Sequence, residues 1–196
     1  MITTEQIKEL RDMTGISVMQ CKKALEEAGG DKEKALALLR KKSGDIAAKK
    51  EGRELGAGII ESYIHNTKTV GVLVELSCET DFVARNEGFV VLARDIAMHV
   101  AAMNPEYVDE SNISEDARVK AIELFKKEVE ESGKPADIKE KMMEGKLSSY
   151  FAERTLLAQP FVKDPNVTIK QLIDGGVQKF GEKIAIARFV RFAVGR

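Results

Sequence analysis

The chain has 196 residues, and its 31 Lys and Arg nearly cancel 32 Asp and Glu, leaving a formal net charge of −1. So even a balance gives no general electrostatic drive towards nucleic acid or an anionic membrane, and no stretch is long and apolar enough to span a bilayer. Two cysteines, Cys21 and Cys78, give no disulfide framework, and Met1-Ile2-Thr3-Thr4-Glu5-Gln6 lacks the basic-then-apolar pattern of a signal peptide, so a reducing cytoplasm is the expected setting.

Residues 1–42 read as three short helices. Thr3 and Gln6 have capping-box spacing, Ile7, Leu10 and Met13 then share a face, and Gly15 ends the helix. Ser17 with Gln20 repeats the box, followed by Val18, Cys21, Leu25 and Ala28 until Gly29-Gly30. Asp31 caps a third helix with Ala35, Leu38 and Leu39 inward. Helices this short are not stable singly, so the three must share one small core. Residues 43–57, with Lys49-Lys50, Gly52-Arg53 and Gly56, read as a polar, basic linker, partly helical around Ile46 to Leu55. A solvated tether is the better account of its charge than an RNA contact.

Residues 58–196 read as an α+β core, a small antiparallel sheet backed by helices. Strands over 59–65 and 69–78 flank Asn66-Thr67-Lys68, a connection short enough for an antiparallel hairpin. A third strand near the end sets Ile184, Ile186, Val190, Phe192 and Val194 against Ala185, Ala187, Phe189 and Ala193. Between them, Phe89, Ala93, Ile96, Ala97 and Val100 form one helical stripe, which Asn104-Pro105 ends. A charged pair of helices over about 114–157, turning at Gly133-Lys134-Pro135, has only a narrow seam of Val119, Ile122, Phe125 and Val129, which suits a hairpin protruding from the core. Thr168 and Gln171 box a last helix with Leu172, Ile173, Val177 and Phe180 inward, stopped by Gly181.

The most informative stretch follows the alternating Val70, Val72, Val74 and Leu76. There the strand pattern stops at Cys78-Glu79, and Thr80-Asp81-Phe82-Val83 leads into a helix after Asn86. A large aromatic beside an acid, on a strand-to-helix turn, either tucks under its own sheet or projects as an anchor for a partner. Thr80-Asp81-Phe82-Val83-Ala84-Arg85 resembles the central motif of the bacterial elongation factor Ts family. Leu10-Arg11-Asp12-Met13-Thr14-Gly15, with Met19 and Cys21-Lys22-Lys23-Ala24-Leu25, resembles that family's amino-terminal motif. Ala97-Met98-His99, Gly133-Lys134-Pro135, Gln159-Pro160-Phe161-Val162 and Arg188-Phe189-Val190-Arg191-Phe192 match in the same order, so the resemblance covers the whole chain.

The resemblance implies a ubiquitin-associated-like (UBA-like) three-helix domain, and guanine-nucleotide exchange on the translational GTPase elongation factor Tu. Asp81 and Phe82, with Thr80 and Val83, would enter the partner beside its magnesium and phosphate site. Arg11, Met19 and Lys22 would hold it from a second side, and His65 is a weaker contact. Two positions depart from the family's pattern: Ser77 stands where Asn is usual before the Cys, and Ser17-Val18 replaces a Gly-Met pair. Only one hairpin block is present, as in short members that pair as homodimers.

Enzyme readings fare worse. Cys78, His65 and Asp81 could be drawn as a thiol triad, but nothing local lowers the thiol pKa. His65 and His99 share no metal-ligand spacing, and Glu75, Glu79 and Asp81 read as a charged rim rather than a cation site. The chain has no phosphate-binding loop of the GTPase type, so no nucleotide or other cofactor is expected in it. An adaptor using the three-helix domain alone is the alternative.

Overall fold

A computed structural model describes residues 2–195 and has the expected α+β architecture. Helices α1 (Thr4–Thr14), α2 (Val18–Glu27) and α3 (Lys32–Lys49) lead into strands β1 (Ala57–Ile64) and β2 (Val70–Cys78). The one-turn helix α4 (Asp81–Ala84) and the long α5 (Glu87–Met103) follow, and then the pair α6 (Glu115–Glu130) and α7 (Ala136–Ala152). A two-strand ribbon, β3 (Pro160–Phe161) and β4 (Asp164–Thr168), precedes α8 (Ile169–Phe180) and β5 (Ile184–Ala193). The main sheet is antiparallel in the order β1-β2-β5.

The local signals account for most boundaries. Thr3 and Thr168 form complete capping boxes, while Ser17, Asp31 and Ser114 each accept a backbone N–H of the helix they start. Gly15 and Gly181 close their helices at φ 66° and 75°, a conformation glycine adopts without a Cβ penalty. One small core gathers Leu10, Ile16, Cys21, Leu25, Leu36 and Leu39. The larger core packs Val72, Val74, Leu76 and Cys78 of β2 against Phe89, Ala93, Ile96, Ala97 and Val100 of α5, with Ile169, Ile173 and Val177 of α8.

Four expectations need correction. The segment read as a linker is helix to Lys49, because Ser43, Ile46 and Ala47 have a surface to pack on. Ser43 bonds to Gln178, Ile46 and Ala47 join the larger core, and Arg40 reaches the Asn166 carbonyl at 3.2 Å. Strand β5 does not keep one phase. The register slips between Glu75 and Leu76, which pair with Arg188 and Ile186, leaving Ala187 as the extra residue of a bulge. Ile184 and Ile186 therefore face the core, whereas Val190, Phe192 and Val194 lie on the exposed side and Phe189 packs inward. Val18 and Met13 are exposed rather than inward, since Ile16, in the turn between α1 and α2, fills their place. On α6 the buried positions are Ala121 and Val129, and Val119 and Ile122 face out, because α7 covers the small-residue face. Ribbon β3–β4 leaves no strand pattern in the sequence, being only a few residues long and containing Pro160 and Pro165.

His99 is a core residue. Its Nδ1 accepts the Val162 N–H (3.2 Å), so Nε2 holds the proton and donates to Gln159 Oε1 (2.9 Å). Burial lowers its pKa below the usual 6.5. The unfolded chain therefore takes up this proton first as pH falls. The stabilisation is complete above pH 6.5 and erodes below it, by at most about 1.4 kcal/mol per pH unit. Urea midpoints should drop between pH 7 and pH 5, and the drop should flatten in His99→Gln; an unchanged slope in the variant would assign it to other groups.

Candidate functional site

The inward residues of β2 end at Cys78, and the chain turns at once into α4. Val83 and Ala84 of that turn are buried in the larger core, which leaves Asp81 and Phe82 on the side away from it. Phe82 is 84% exposed, more than any other large apolar residue among the described residues. Leaving such a ring in water forgoes roughly 2–3 kcal/mol of burial. Asp81 pairs with Arg85 at 3.5 Å, but both side chains are largely solvated, so this pair adds little rigidity.

What fixes the turn comes from far along the chain. Thr80 stands at the start of α4 in extended conformation but does not cap it. Its hydroxyl donates instead to Glu182 Oε1 (2.6 Å), and Glu182 Oε2 accepts the N–H groups of Glu79 (3.1 Å) and Thr80 (3.0 Å). Glu79 returns the arrangement by accepting the Lys183 N–H (2.5 Å) and an ion pair from Arg53 (3.0 Å). The Lys183 N–H above all, with the Arg53 guanidinium, holds the Glu79 carboxyl below the usual carboxylate range. Cys78 Sγ donates to the Thr80 carbonyl (3.3 Å), and burial pushes its thiol pKa up. Glu182 was not legible from sequence: a single acid between Gly181 and a strand has no local partner, and the turn it serves lies about a hundred residues earlier.

The other sequence-derived residues fall into two further places. Arg11, Met19 and Lys22 are exposed on α1 and α2, with Met19 at 73% and Lys22 in a loose pair with Glu26 (3.8 Å). No hydrogen bond or ion pair among the described residues joins them to the α4 turn. His65 follows β1 at the hairpin turn, where Nδ1 lies 3.1 Å from the Tyr63 hydroxyl. Since Ile64 faces Gly71 and Ala57 faces Cys78, His65 and Phe82 lie at opposite ends of the hairpin, roughly 24 Å apart along it. The thiol triad therefore does not assemble. Glu75 and Glu79, considered for a cation, are engaged by Arg188 (2.6 Å) and by Lys183 with Arg53.

These features define an interaction protein, a rigid α+β core presenting an aromatic and an acid on a braced turn. The sequence model of the family described as Elongation factor TS matches residues 45–196. Proteins named elongation factor Ts from Carboxydothermus hydrogenoformans, Thermosipho melanesiensis and Thermodesulfovibrio yellowstonii are 49%, 49% and 51% identical to this chain over 195 residues. Each alignment covers 100% of this chain, and 90%, 100% and 97% of the respective relative. The chain belongs to the elongation factor Ts family. Its function is nucleotide exchange on elongation factor Tu, which is not catalysis of a chemical reaction in the usual sense, and the adaptor alternative is not favoured.

An exposed ring contributes nothing to the core. Phe82→Ala should therefore leave stability within about 0.5 kcal/mol of the parent, whereas Val83→Ala should cost about 1 kcal/mol or more. Urea unfolding of both variants checks this; a large loss in Phe82→Ala would mean that the ring is packed in solution.

Proposed function

We propose that this chain releases GDP from elongation factor Tu by inserting Phe82, with Asp81 beside it, next to the GTPase's magnesium and phosphate site. The observation that carries the reading is the contrast within one turn: Val83 and Ala84 are buried and braced, and Phe82 is left in water. Such a ring gains its burial only on a partner. Val83, expected among the partner contacts, is buried in the core and anchors the turn instead, while Thr80 stays beside the wedge; Arg11, Met19 and Lys22 form a second contact on the three-helix unit, which is UBA-like. His65, at the far end of the hairpin, would require a footprint running the length of the sheet.

The energies are adequate. By reciprocity, the factor by which this chain weakens nucleotide binding equals the factor by which nucleotide weakens binding of the chain. A thousandfold weakening corresponds to about 4 kcal/mol. Burying Phe82 supplies roughly 2–3 kcal/mol of that, and the remainder falls to displaced ligands of the partner's metal. The work is done in the cytoplasm, where the partner meets its nucleotides, and it needs no cofactor or direct nucleic-acid contact.

The active unit is a homodimer, paired through the outer face of the sheet. Ile60, Ile64, Leu73, Val190, Phe192 and Val194 are all exposed on that face, beside the Glu75–Arg188 pair. An apolar face of this size on a three-stranded sheet favours a matching apolar face, and a second copy offers one.

Release of a fluorescent GDP analogue from elongation factor Tu tests the exchange mechanism. The parent should accelerate release strongly, and Phe82→Ala should lose most of the effect, by about tenfold or more; acceleration that survives the substitution would move the mechanism away from the ring. Light scattering at micromolar concentration should give twice the chain mass, and Phe192→Glu should shift it towards the monomer. A monomeric parent would sink the dimer.

A further inference from the structure

We infer that Glu182 is a positioning residue for exchange, acting on Phe82 through Thr80 without touching the partner. The inference rests on the exchange reading above and adds a residue to it. Three hydrogen bonds converge on this one carboxylate, from the Glu79 N–H, the Thr80 N–H and the Thr80 hydroxyl, at 3.1, 3.0 and 2.6 Å. All three donors lie immediately before Asp81 and Phe82.

On that side Glu79 is also held by the Lys183 N–H and Arg53, and the Thr80 carbonyl by Cys78 Sγ, but only Glu182 bonds the Thr80 N–H and hydroxyl, the groups next to Asp81. A four-residue helix is too short to be stable by itself, and Thr80 gives up the usual capping role to bond Glu182. The opposite side is anchored by Val83 and Ala84 in the core. Glu182 is itself fixed, because its neighbours are tied down. Lys183 N–H goes to Glu79 Oε1 (2.5 Å), Lys183 Nζ goes to the carbonyls of Glu51 (2.5 Å) and Arg53 (2.9 Å), and Lys50 Nζ goes to the Gly181 carbonyl (2.7 Å). The loop after α8 and the turn after β2 are thus clipped together, each carboxylate taking backbone N–H groups from the other loop. A wedge held in its bound geometry avoids an ordering cost when it enters the partner. Without Glu182, the ring remains but its direction is no longer fixed.

The test is maximal GDP release from elongation factor Tu at saturating chain, for the parent, Glu182→Ala, Glu182→Gln, Phe82→Ala and the double variant Glu182→Ala/Phe82→Ala. Glu182→Ala should lower the maximal rate about tenfold, with Glu182→Gln recovering part of it because one oxygen can still accept. In the Phe82→Ala background, removing Glu182 should cost less than about twofold, since no wedge is left to aim. A purely structural role predicts instead that the two losses multiply, and that result overturns the inference. So does a Glu182→Ala chain that matches the parent. If Glu182→Ala fails to fold, Thr80→Val removes only the hydroxyl bond, and the same coupling to Phe82→Ala is measured with it. A parent that does not accelerate release overturns the exchange reading itself, which is a distinct result.

Discussion

The inward side chains of β2, Val72, Val74, Leu76 and Cys78, leave water together against α5, and that packing determines where everything else in the core can sit. β2 is the central strand, hydrogen-bonded on both edges, so it has no freedom to slide or tilt. A one-residue slip would bring Leu73, Glu75 and Ser77 into the core and expose four apolar side chains. The last inward residue of this fixed strand is Cys78, and four residues later comes Phe82. The ring is displayed from the end of a strand held by hydrogen bonds on both edges, through a turn clipped by Glu182. Its exposure follows from the same geometry: the turn spends Val83 and Ala84 on the core, and a helix turn that buries two adjacent residues points the preceding two elsewhere.

Exchange requires a protein to gain energy only when the nucleotide is leaving, and a solvated ring has that property. In the mechanism proposed above, its burial is unavailable in the free chain and would become available in a site that has opened. A core aromatic such as Phe89, already buried, has nothing left to gain. Rigidity determines how much of the gain survives, since each freely rotating side chain ordered on binding costs about 0.5–1.5 kcal/mol. Phe82 has few rotatable bonds and a clipped backbone.

The sequence conveyed periodicity well and long-range compensation poorly. The α5 stripe, the capping boxes at Thr3 and Thr168, and the glycine stops at Gly15 and Gly181 were legible because each is a local rule satisfied within a few residues. The turn at Phe82 was legible as a motif, but whether the ring points in or out depends on what Val83 and Ala84 find beneath them. Ala187 illustrates what is lost. A bulge leaves no mark in an alternating string of apolar residues, and it exchanged the inner and outer faces for the second half of β5. Similarly, Ala121 looks unremarkable beside Val119 and Ile122, yet a small residue is what lets α7 approach α6. The helical part of residues 43–57 is hidden in the sequence because Asp45, Lys49, Lys50, Glu51, Arg53 and Glu54 outnumber Ser43, Ile46 and Ala47, which face α8 and the core.

The continuous helix bears directly on the proposed second contact. A flexible tether would let Arg11, Met19 and Lys22 search for the partner, raising affinity through effective concentration at some entropic cost. A helix continuous to Lys49, packed on α8 and bonded to Gln178 and the Asn166 carbonyl, holds them at a set distance from Phe82 instead. Two contacts on a rigid body bind best when the partner's two sites have the same spacing, and interfere when they do not.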